Sequence, residues 1–315
     1  MAPARHSGQV ILYLDCDTGI DDAIALALLL GRPDVEILGI GTVSGNTSAA
    51  EAATNTLAVL ALAGRDDIPV AVGGHDPLTG EYRSGASDVH GSNGIGGVEL
   101  PPAARGPIIE PAADLLVRLA RTHAGDLHVL ATGPLTNLAR ALHAEPRLPE
   151  LVAGVTVMGG AVRVPGNVTP HAEANIADDP AAAAAVVAAG WPLTLVPLDV
   201  TMNHRFTEPD RDALRATGSP LLTALADMLR AYVDYYEPVL GVAEVPLHDP
   251  LAAAVLVDAV RPAEAPVLPL RVDTGAGAER ARIAEDPDAG HPVRVILSMA
   301  EPAAPAILAA LLALA

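Results

Sequence analysis

The sequence VILYLDCDTGIDD at residues 10–22 joins an apolar run to four closely spaced carboxylates. The run Val10–Leu14 is typical of a short buried strand, and the alanine- and leucine-rich segment Ala23–Leu30 is typical of a buried helix. A buried strand that leads directly into a helix is typical of proteins that pack helices against a sheet. The stretch therefore predicts an α/β fold with acidic residues at the carboxyl end of its first strand.

The four carboxylates predict a cation site. Asp15 and Asp17 lie two apart on a strand and therefore point to the same side. Asp21 and Asp22 lie in the first helical turn, where backbone N–H groups and the helix dipole favour negative charge. Capping explains one or two of them, but four so close repel one another unless a cation or shared protons intervene. A ligand set that consists only of oxygen atoms favours Ca²⁺ or Mg²⁺ over zinc.

The rest of the chain alternates between strand-like and helix-like runs. The predicted strands are Val10–Leu14, Ile37–Val43, Ile68–Val72, Leu127–Leu130, Val155–Met158 and Leu193–Pro197. The predicted helices include Ala23–Leu30, Ser48–Ala63, Pro111–His123, Leu135–His143 and Pro180–Ala189. The terminal segment Ile307–Ala315 is expected to be a packed helix or a subunit contact. This order predicts a single α/β domain over residues 1–315, with a mostly parallel, Rossmann-like open sheet and helices on both faces. Ligands of such sheets bind beyond the carboxyl ends of the strands, where Asn46, Thr132 and Met158 also fall.

Composition excludes several kinds of partner. A formal charge of −19 disfavours a nucleic-acid backbone or an anionic membrane surface. One cysteine, Cys16, cannot form an internal disulfide, which fits a cytoplasmic protein. Residues Met1–Gln9 lack an apolar signal core, and no apolar segment is long enough to span a bilayer.

Two other interpretations of the acidic cluster fit poorly. An EF-hand loop beginning at Asp15 would need an oxygen ligand, a glycine and a glutamate where the chain has Gly19, Ile20 and Leu26. A Mg²⁺-dependent phosphatase with Asp15 as the nucleophile would use a D-x-D strand end and a later basic residue, commonly lysine. All 19 basic residues here are arginine, although this phosphatase remains an alternative.

The opening motif D-x-D-x-G-x-D-D resembles that of the nucleoside hydrolases, the inosine-uridine preferring N-ribohydrolases. Further segments resemble the family in the same order, from about residue 9 to 260: Thr42–Asn46, Asp88–Gly91, Ala131–Asn137, Val157–Gly160, Gly166–Asn175 and Leu247–Pro250. The resemblance implies Ca²⁺-dependent hydrolysis of the N-glycosidic bond of ribonucleosides, with a broad or pyrimidine-leaning preference. It also implies a homodimer or homotetramer.

The resemblance assigns a role to each matched residue. Calcium ligands would be Asp17, Asp22, the backbone carbonyl of Thr132 and Asp249. Asp17 would also be the general base, and His248 would donate a proton to the departing base or form a hydrogen bond with it. The substrate-binding residues would be Asp21, Asn46 and Asn175 at the 2′- and 3′-hydroxyls, Asn167, Glu173 and Met158 at the 5′ end, and His90 near the base.

Plainer roles are possible for several of these residues. Asp249 could be the N-cap of a helix that continues through a proline, and Asn46 could cap the helix after it. His90 could be solvated on its glycine-rich loop, and Met158 could pack in the core. Asp15 could have a purely supporting role, in which it holds the site in place through hydrogen bonds.

One position departs from the family pattern. Ala174 stands where the family usually has phenylalanine, which would enlarge the cavity near the sugar or the base. A calcium- and nucleoside-binding protein without catalytic activity is therefore a second alternative.

Overall fold

The computed structural model describes residues 9–83 and 85–315. In chain order, its strands are β1 Val10–Cys16, β2 Val35–Thr42, β3 Val70–Val72, β4 Leu127–Ala131, β5 Val152–Met158, β6 Leu193–Val196, β7 Arg205–Thr207, β8 Glu244–Pro246, β9 Pro262–Glu264, β10 Val267–Val272, β11 Ile283–Glu285, β12 Pro292–Val295 and β13 Ser298–Met299. Its helices are α1 Ile20–Leu30, α2 Ala49–Leu62, α3 Ser87–His90, α4 Ala112–Thr122, α5 Thr136–Ala144, α6 Leu148–Leu151, α7 Ala174–Asp178, α8 Pro180–Val187, α9 Leu198–Thr201, α10 Glu208–Ala216, α11 Pro220–Leu240, α12 His248–Leu256 and α13 Ala304–Leu312.

Nine strands of the described chain form the central sheet, in the order β11-β10-β12-β6-β5-β4-β1-β2-β3. The strands from β12 to β3 pair in parallel, and β10 is antiparallel to both of its neighbours. Strands β1 to β6 follow the 3-2-1-4-5-6 order of the Rossmann fold, so the strand order reverses between β1 and β4. Ligands of open α/β sheets bind outside the strand ends at this point.

Both faces of the sheet are covered by helices, because side chains alternate along the buried strands. In β1, Leu12 and Leu14 belong to a core that includes residues of α1, α2, α11, α12 and α13, whereas Ile11 and Tyr13 belong to the core under α4, α5 and α8. The predicted α/β class, with a mostly parallel sheet in one domain, is confirmed over the described residues. The predicted domain also includes residues 1–8, which lie outside them.

The predicted strands and helices are present with shifted ends. Helix α1 begins at Ile20, so Asp21 and Asp22 lie in its first turn, as predicted. The terminal segment forms α13, which buries Ile307 and Leu311 in the core. None of the helices in the described chain is long and apolar enough to cross a membrane.

Candidate active site

Four carboxylates from distant parts of the sequence meet beyond the carboxyl ends of β1 and β4. Asp17, Asp21 and Asp22 follow β1, and Asp249 lies in the first turn of α12, which packs against α1. All four are at least 95% buried. One oxygen each of Asp21, Asp22 and Asp249 lies within 4.8 Å of the others, a spacing that suits a shared cation.

Burial and mutual repulsion disfavour the charged forms of these carboxylates. Burial, and for Asp22 also the charge of Asp21, raises the pKa values of Asp21 and Asp22 to about 6. The pKa values of Asp17 and Asp249 are raised well above the usual range, mainly by burial. Within the described part of the chain, the buried oxygens Asp17 Oδ1 and Asp21 Oδ1 have no hydrogen-bond partner. Unsatisfied buried oxygens of this kind fit a hard divalent cation.

Neighbouring strand ends hold these carboxylates in place. Asp22 accepts hydrogen bonds from the Gly19 amide at 2.8 Å, the Asn46 side-chain amide at 3.2 Å and the Thr132 hydroxyl at 2.7 Å. Asp17 Oδ2 accepts the backbone amide of Asn46 at 2.6 Å. A Cβ atom on Gly45 would lie 2.1 Å from this Asp17 oxygen, so glycine is required for the close approach of the backbone.

Asp15 lies apart from the cluster and is braced by hydrogen bonds. Its carboxylate lies 2.9 Å from the Tyr13 hydroxyl and accepts the Asn137 side-chain amide at 3.1 Å. Burial raises the pKa of Asp15 to about 7. Unlike Asp17 Oδ1, both oxygens of Asp15 have hydrogen-bond partners among the described residues, which does not suit the nucleophile of the alternative phosphatase. The bracing role fits the geometry better.

A cavity of about 410 Å³ adjoins the cluster and collects most of the predicted site residues. Its lining includes Asp21, Asn46, His90, Thr132, Met158, Asn167, Glu173, Asn175, His248 and Asp249. The predicted residues Asp17 and Asp22 are not part of the lining and are almost fully buried.

One side of the cavity is organised by α7 and its N-terminus. Asn175 donates from its side chain to the carbonyl of Thr132 at 2.8 Å and to that of Met158 at 3.1 Å. Glu173 caps α7 and accepts the backbone amides of Asn175 and Gly160, at 2.9 and 2.8 Å. Burial raises the pKa of Glu173 to about 7. Asn167 accepts the backbone amide of Ala174 at 3.1 Å.

Two buried histidines also line the cavity. His90 Nδ1 accepts the Ile20 amide at 3.1 Å, and burial lowers the pKa of His90 to about 4. His248 lies between the Tyr236 hydroxyl, 3.1 Å from Nε2, and the Thr201 hydroxyl, 2.8 Å from Nδ1. Burial lowers the pKa of His248 to about 3. Both imidazoles are therefore neutral near pH 7.

The comparisons with known proteins agree with this geometry. The profile of the family described as "Inosine-uridine preferring nucleoside hydrolase" matches residues 12–304. The chain belongs to this nucleoside hydrolase family.

Individual relatives are similar over most of their length. The chain is 38% identical to uridine nucleosidase 1 of Arabidopsis thaliana over 78% of the chain and 73% of that relative. It is also 38% identical to the pyrimidine-specific ribonucleoside hydrolase RihA of Citrobacter koseri, over 78% of each. A solved purine-preferring ribonucleoside hydrolase from Gardnerella vaginalis has a TM-score of 0.89 and 32% identity, and the match covers 96% of this chain and 97% of that one. These similarities support an N-glycosyl hydrolase that acts on ribonucleosides.

Helix α11 contributes a wall to this nucleoside hydrolase cavity that the sequence analysis did not assign. Tyr232, Tyr235, Tyr236 and Val239 all line it. The Tyr232 hydroxyl donates to Asp21 Oδ2 at 3.0 Å, so α11 also contacts the carboxylate cluster. The four lining residues of α11 are spaced i, i+3, i+4 and i+7, which places them on one helical face. This spacing is the sequence signal from which the helix and its lining face could have been predicted.

Three plainer interpretations from the sequence are wrong. Asn46 does not cap α2, because Ser48 accepts the Glu51 amide there and the Asn46 side chain turns to Asp22. His90 is 5% exposed and is therefore not a solvated loop residue. Asp249 is not an N-cap, because α12 already begins at His248.

Proposed function

We propose that this nucleoside hydrolase uses Ca²⁺ to hydrolyse the N-glycosidic bond of ribonucleosides, releasing free base and ribose. The supporting observation is the carboxylate cluster, with two buried oxygens unpaired among the described residues, beside a cavity that also holds two neutral histidines. N-Glycosidic cleavage passes through a state with positive charge on the sugar, as in glycoside hydrolysis. Anionic groups near the sugar stabilise that state electrostatically.

The proposed cation ligands are Asp17, Asp22, Asp249 and the carbonyl of Thr132. Ca²⁺ is favoured over Mg²⁺ because it accepts roughly six to eight oxygens in a flexible geometry and has room for sugar hydroxyls as well. A bound divalent cation would lower the pKa of a water molecule at this site. The Thr132 carbonyl already accepts the Asn175 amide, and its second lone pair remains for a ligand.

Asp17 is the proposed general base. Its Oδ2 atom is fixed by the Asn46 amide, whereas its Oδ1 atom has no hydrogen-bond partner among the described residues. Oδ1 can therefore take a proton without breaking a hydrogen bond. Burial raises the pKa of Asp17, which favours proton uptake from an attacking water.

The sugar would lie between α1 and α7. Asp21, Asn46 and Asn175 line the cavity and can bind the 2′- and 3′-hydroxyls. Asn167, Glu173 and Met158 are then left for the 5′ end of the sugar. A pocket that pairs its buried polar groups with both hydroxyls should reject 2′-deoxyribonucleosides, because the missing hydroxyl leaves those groups unpaired.

The base would lie against α11 and the two histidines, with His248 as its proton donor. Tyr235 and Tyr236 line the cavity, and their aromatic rings can pack against a planar base. We propose a broad or pyrimidine-leaning preference, which is supported by the names of the uridine and pyrimidine relatives. A cytoplasmic location and a homodimeric or homotetrameric assembly remain proposals that rest on the single buried cysteine and on the family resemblance.

The decisive experiment is ribose release from uridine, cytidine, inosine and adenosine, with and without EGTA pretreatment. We expect turnover that is lost on chelation and restored by Ca²⁺, with uridine or cytidine as the better substrates. Restoration by Mg²⁺ but not by Ca²⁺ would contradict the proposed cation. Calcium and nucleoside binding without ribose release would instead support the non-catalytic alternative.

A further inference from the structure

We infer that Thr201, the last residue of α9, is a positioning residue that fixes the tautomer of His248. Through this tautomer it keeps the histidine proton on the side of the imidazole that faces Tyr236 and the cavity. This role of Thr201 rests on the proposed function of His248 as proton donor. Thr201 does not line the cavity, so it acts through His248 rather than on the substrate.

The contacts of His248 form a short hydrogen-bonded chain. The Thr201 Oγ1 atom lies 2.8 Å from Nδ1, and the Tyr236 hydroxyl lies 3.1 Å from Nε2. Thr201 is fully buried, and His248 is 5% exposed. Over residues 9–83 and 85–315, His248 Nδ1 is the one hydrogen-bond partner found for the Thr201 hydroxyl.

The hydrogen atoms of this chain can be placed by counting donors and acceptors. A neutral imidazole has one N–H and one acceptor nitrogen, and a hydroxyl has one hydrogen to donate. Leaving a buried donor unsatisfied is unfavourable. If Nδ1 carried the proton, the buried Thr201 hydrogen would have no acceptor. Thr201 therefore donates to Nδ1, and the histidine proton lies on Nε2.

This placement decides which way the chain donates. With the proton on Nε2, His248 donates to the Tyr236 oxygen, and the Tyr236 hydrogen is not used on His248. Tyr236 lines the cavity, so the donors of the His248–Tyr236 pair lie on the side where a leaving base would take a proton, and the pair regains that proton from solvent after the base departs. The opposite tautomer would direct the Tyr236 hydrogen at His248 and away from the substrate.

Helix α9 is itself anchored, which fixes the position of Thr201. Asp199, in the same turn, accepts the backbone amides of Val162 and Arg163 at 2.9 and 2.7 Å. These bonds attach α9 to the segment that precedes the α7 wall of the cavity. The Thr201 hydroxyl is thus held by the fold and does not depend on a bound substrate.

The test compares two leaving groups in two variants. Thr201→Val removes the hydroxyl with little change in shape, and Thr201→Ser retains it. With uridine, whose base needs a proton to leave, we expect Thr201→Val to lower kcat about tenfold at nearly unchanged KM. With p-nitrophenyl β-D-ribofuranoside, whose phenolate leaves without a proton, kcat should stay within about twofold of wild type. Thr201→Ser should retain most of the uridine turnover.

The controls separate this inference from the proposed function. Thr217→Val makes the same change at a half-buried threonine outside the cavity, whose hydroxyl donates to the Leu214 carbonyl, and should affect neither substrate. Equal losses on both substrates in Thr201→Val, or wild-type turnover of uridine, would overturn the role of Thr201. His248→Ala tests the proton donor itself. Equal slowing of both substrates in that variant would refute the donor role, and the inference about Thr201 would fall with it.

A spectroscopic measurement covers the case in which Thr201→Val does not fold. In wild-type protein labelled with ¹⁵N-histidine, the His248 signals can be assigned by their loss in His248→Gln. Chemical shifts of a protonated Nε2 and an unprotonated Nδ1 are the expected result. A protonated Nδ1 would overturn the inference whatever the activity of the variants.

Discussion

At the scale of single residues, the chemistry of the site depends on which carboxylate oxygens are already paired. Asp15 has hydrogen-bond partners from Tyr13 and Asn137, whereas Asp17 and Asp21 each keep one buried oxygen that is unpaired among the described residues. The first arrangement is typical of a structural brace. The second is typical of oxygens held ready for a cation or a proton.

Replacement of Asp17 by asparagine should abolish most turnover. Asp17→Asn keeps the shape but removes both the negative charge and the proton acceptor. We expect kcat for uridine to fall at least about a hundredfold at saturating Ca²⁺, because general-base catalysis commonly contributes that much. Asp67→Asn, at an exposed aspartate paired with Arg65, is the matched control and should retain wild-type activity. Wild-type turnover in Asp17→Asn would refute the assignment of the base.

Replacement of Tyr13 by phenylalanine should affect stability more than chemistry. The Tyr13 hydroxyl is fully buried and lies 2.9 Å from Asp15 and 3.0 Å from the Ala112 carbonyl. Removing it leaves buried polar partners unsatisfied, so we expect Tyr13→Phe to lower the free energy of unfolding by about 1–3 kcal/mol in urea titrations. Tyr82→Phe, at a half-buried tyrosine, should change it by less than about 0.5 kcal/mol. An unchanged stability of Tyr13→Phe would show that Asp15 does not depend on this brace.

At the scale of elements, helix α11 joins the carboxylate cluster to the base side of the cavity. Tyr232 contacts Asp21 near the middle of the helix, and Val239 lines the cavity near its C-terminal end. Helix α11 ends at Leu240 and is followed by Gly241, whose φ of 73° favours glycine. One helical face can therefore influence both the cluster and the leaving base.

A polar substitution at Val239 should weaken substrate binding without a cost in stability. Val239 is 62% exposed although it lines the cavity, so little apolar burial is lost when it is replaced. We expect Val239→Asn to raise KM for uridine several-fold and to leave the melting temperature nearly unchanged. Val267→Asn, at a similarly exposed valine of β10, should leave KM unaltered. Equal KM values in the two variants would place the base elsewhere in the cavity.

The sequence predicted the parallel half of the fold better than the rest. Strands β1 to β6 are short apolar runs followed by helices, and this pattern identifies them. Strands β10 and β12, which lie next to the edge strand β11, were not predicted, because Pro269 and Pro292 interrupt their apolar pattern and only one face of each is buried. Helix α11 was not predicted either, although its tyrosine spacing carried the signal.

At the scale of the whole molecule, the site exists because the strand order reverses between β1 and β4. The motif at residues 15–22 could be identified as acidic and ligand-binding from local sequence alone. Its partners Thr132, Asn137 and Tyr232 lie far along the chain, and their contacts could not be derived from local patterns. The sequence therefore predicts the chemical groups of the site, whereas the hydrogen bonds that orient them depend on tertiary packing.

The buried carboxylates also predict how the stability of the whole protein depends on pH and calcium. Burial raises the pKa of Asp15 from 3.8, and that of Glu173 from 4.5, to about 7 in each case. A carboxyl whose pKa is raised on folding stabilises the protein below its unfolded pKa, and this contribution is lost as pH rises through its folded pKa. The free energy of unfolding of the cation-free protein should thus fall between about pH 4 and pH 7.

His90 and His248 have the opposite effect on how the free energy of unfolding depends on pH. Their pKa values are lowered from 6.5 to about 4 and about 3, so their contribution is lost as pH falls below 6.5. Burial also lowers the pKa values of His128 and His204, so four histidines have this effect. They stand against seven carboxyls whose pKa values are raised: Asp15, Asp17, Asp21, Asp22, Glu173, Asp178 and Asp249. The carboxyls should therefore dominate the pH dependence.

A cation would take over the role of the protons that the carboxylates release as pH rises. We therefore expect the increase in melting temperature caused by Ca²⁺ to be larger near pH 8 than near pH 5.5. At a hundredfold excess over Kd, the added stability should approach about 2.7 kcal/mol. Thermal unfolding with Ca²⁺ or EGTA at both pH values measures this difference, and Asp249→Asn should lose most of the calcium effect at each. A calcium effect that is equal at the two pH values, or larger near pH 5.5, would mean that protons and the cation do not compete for these carboxylates.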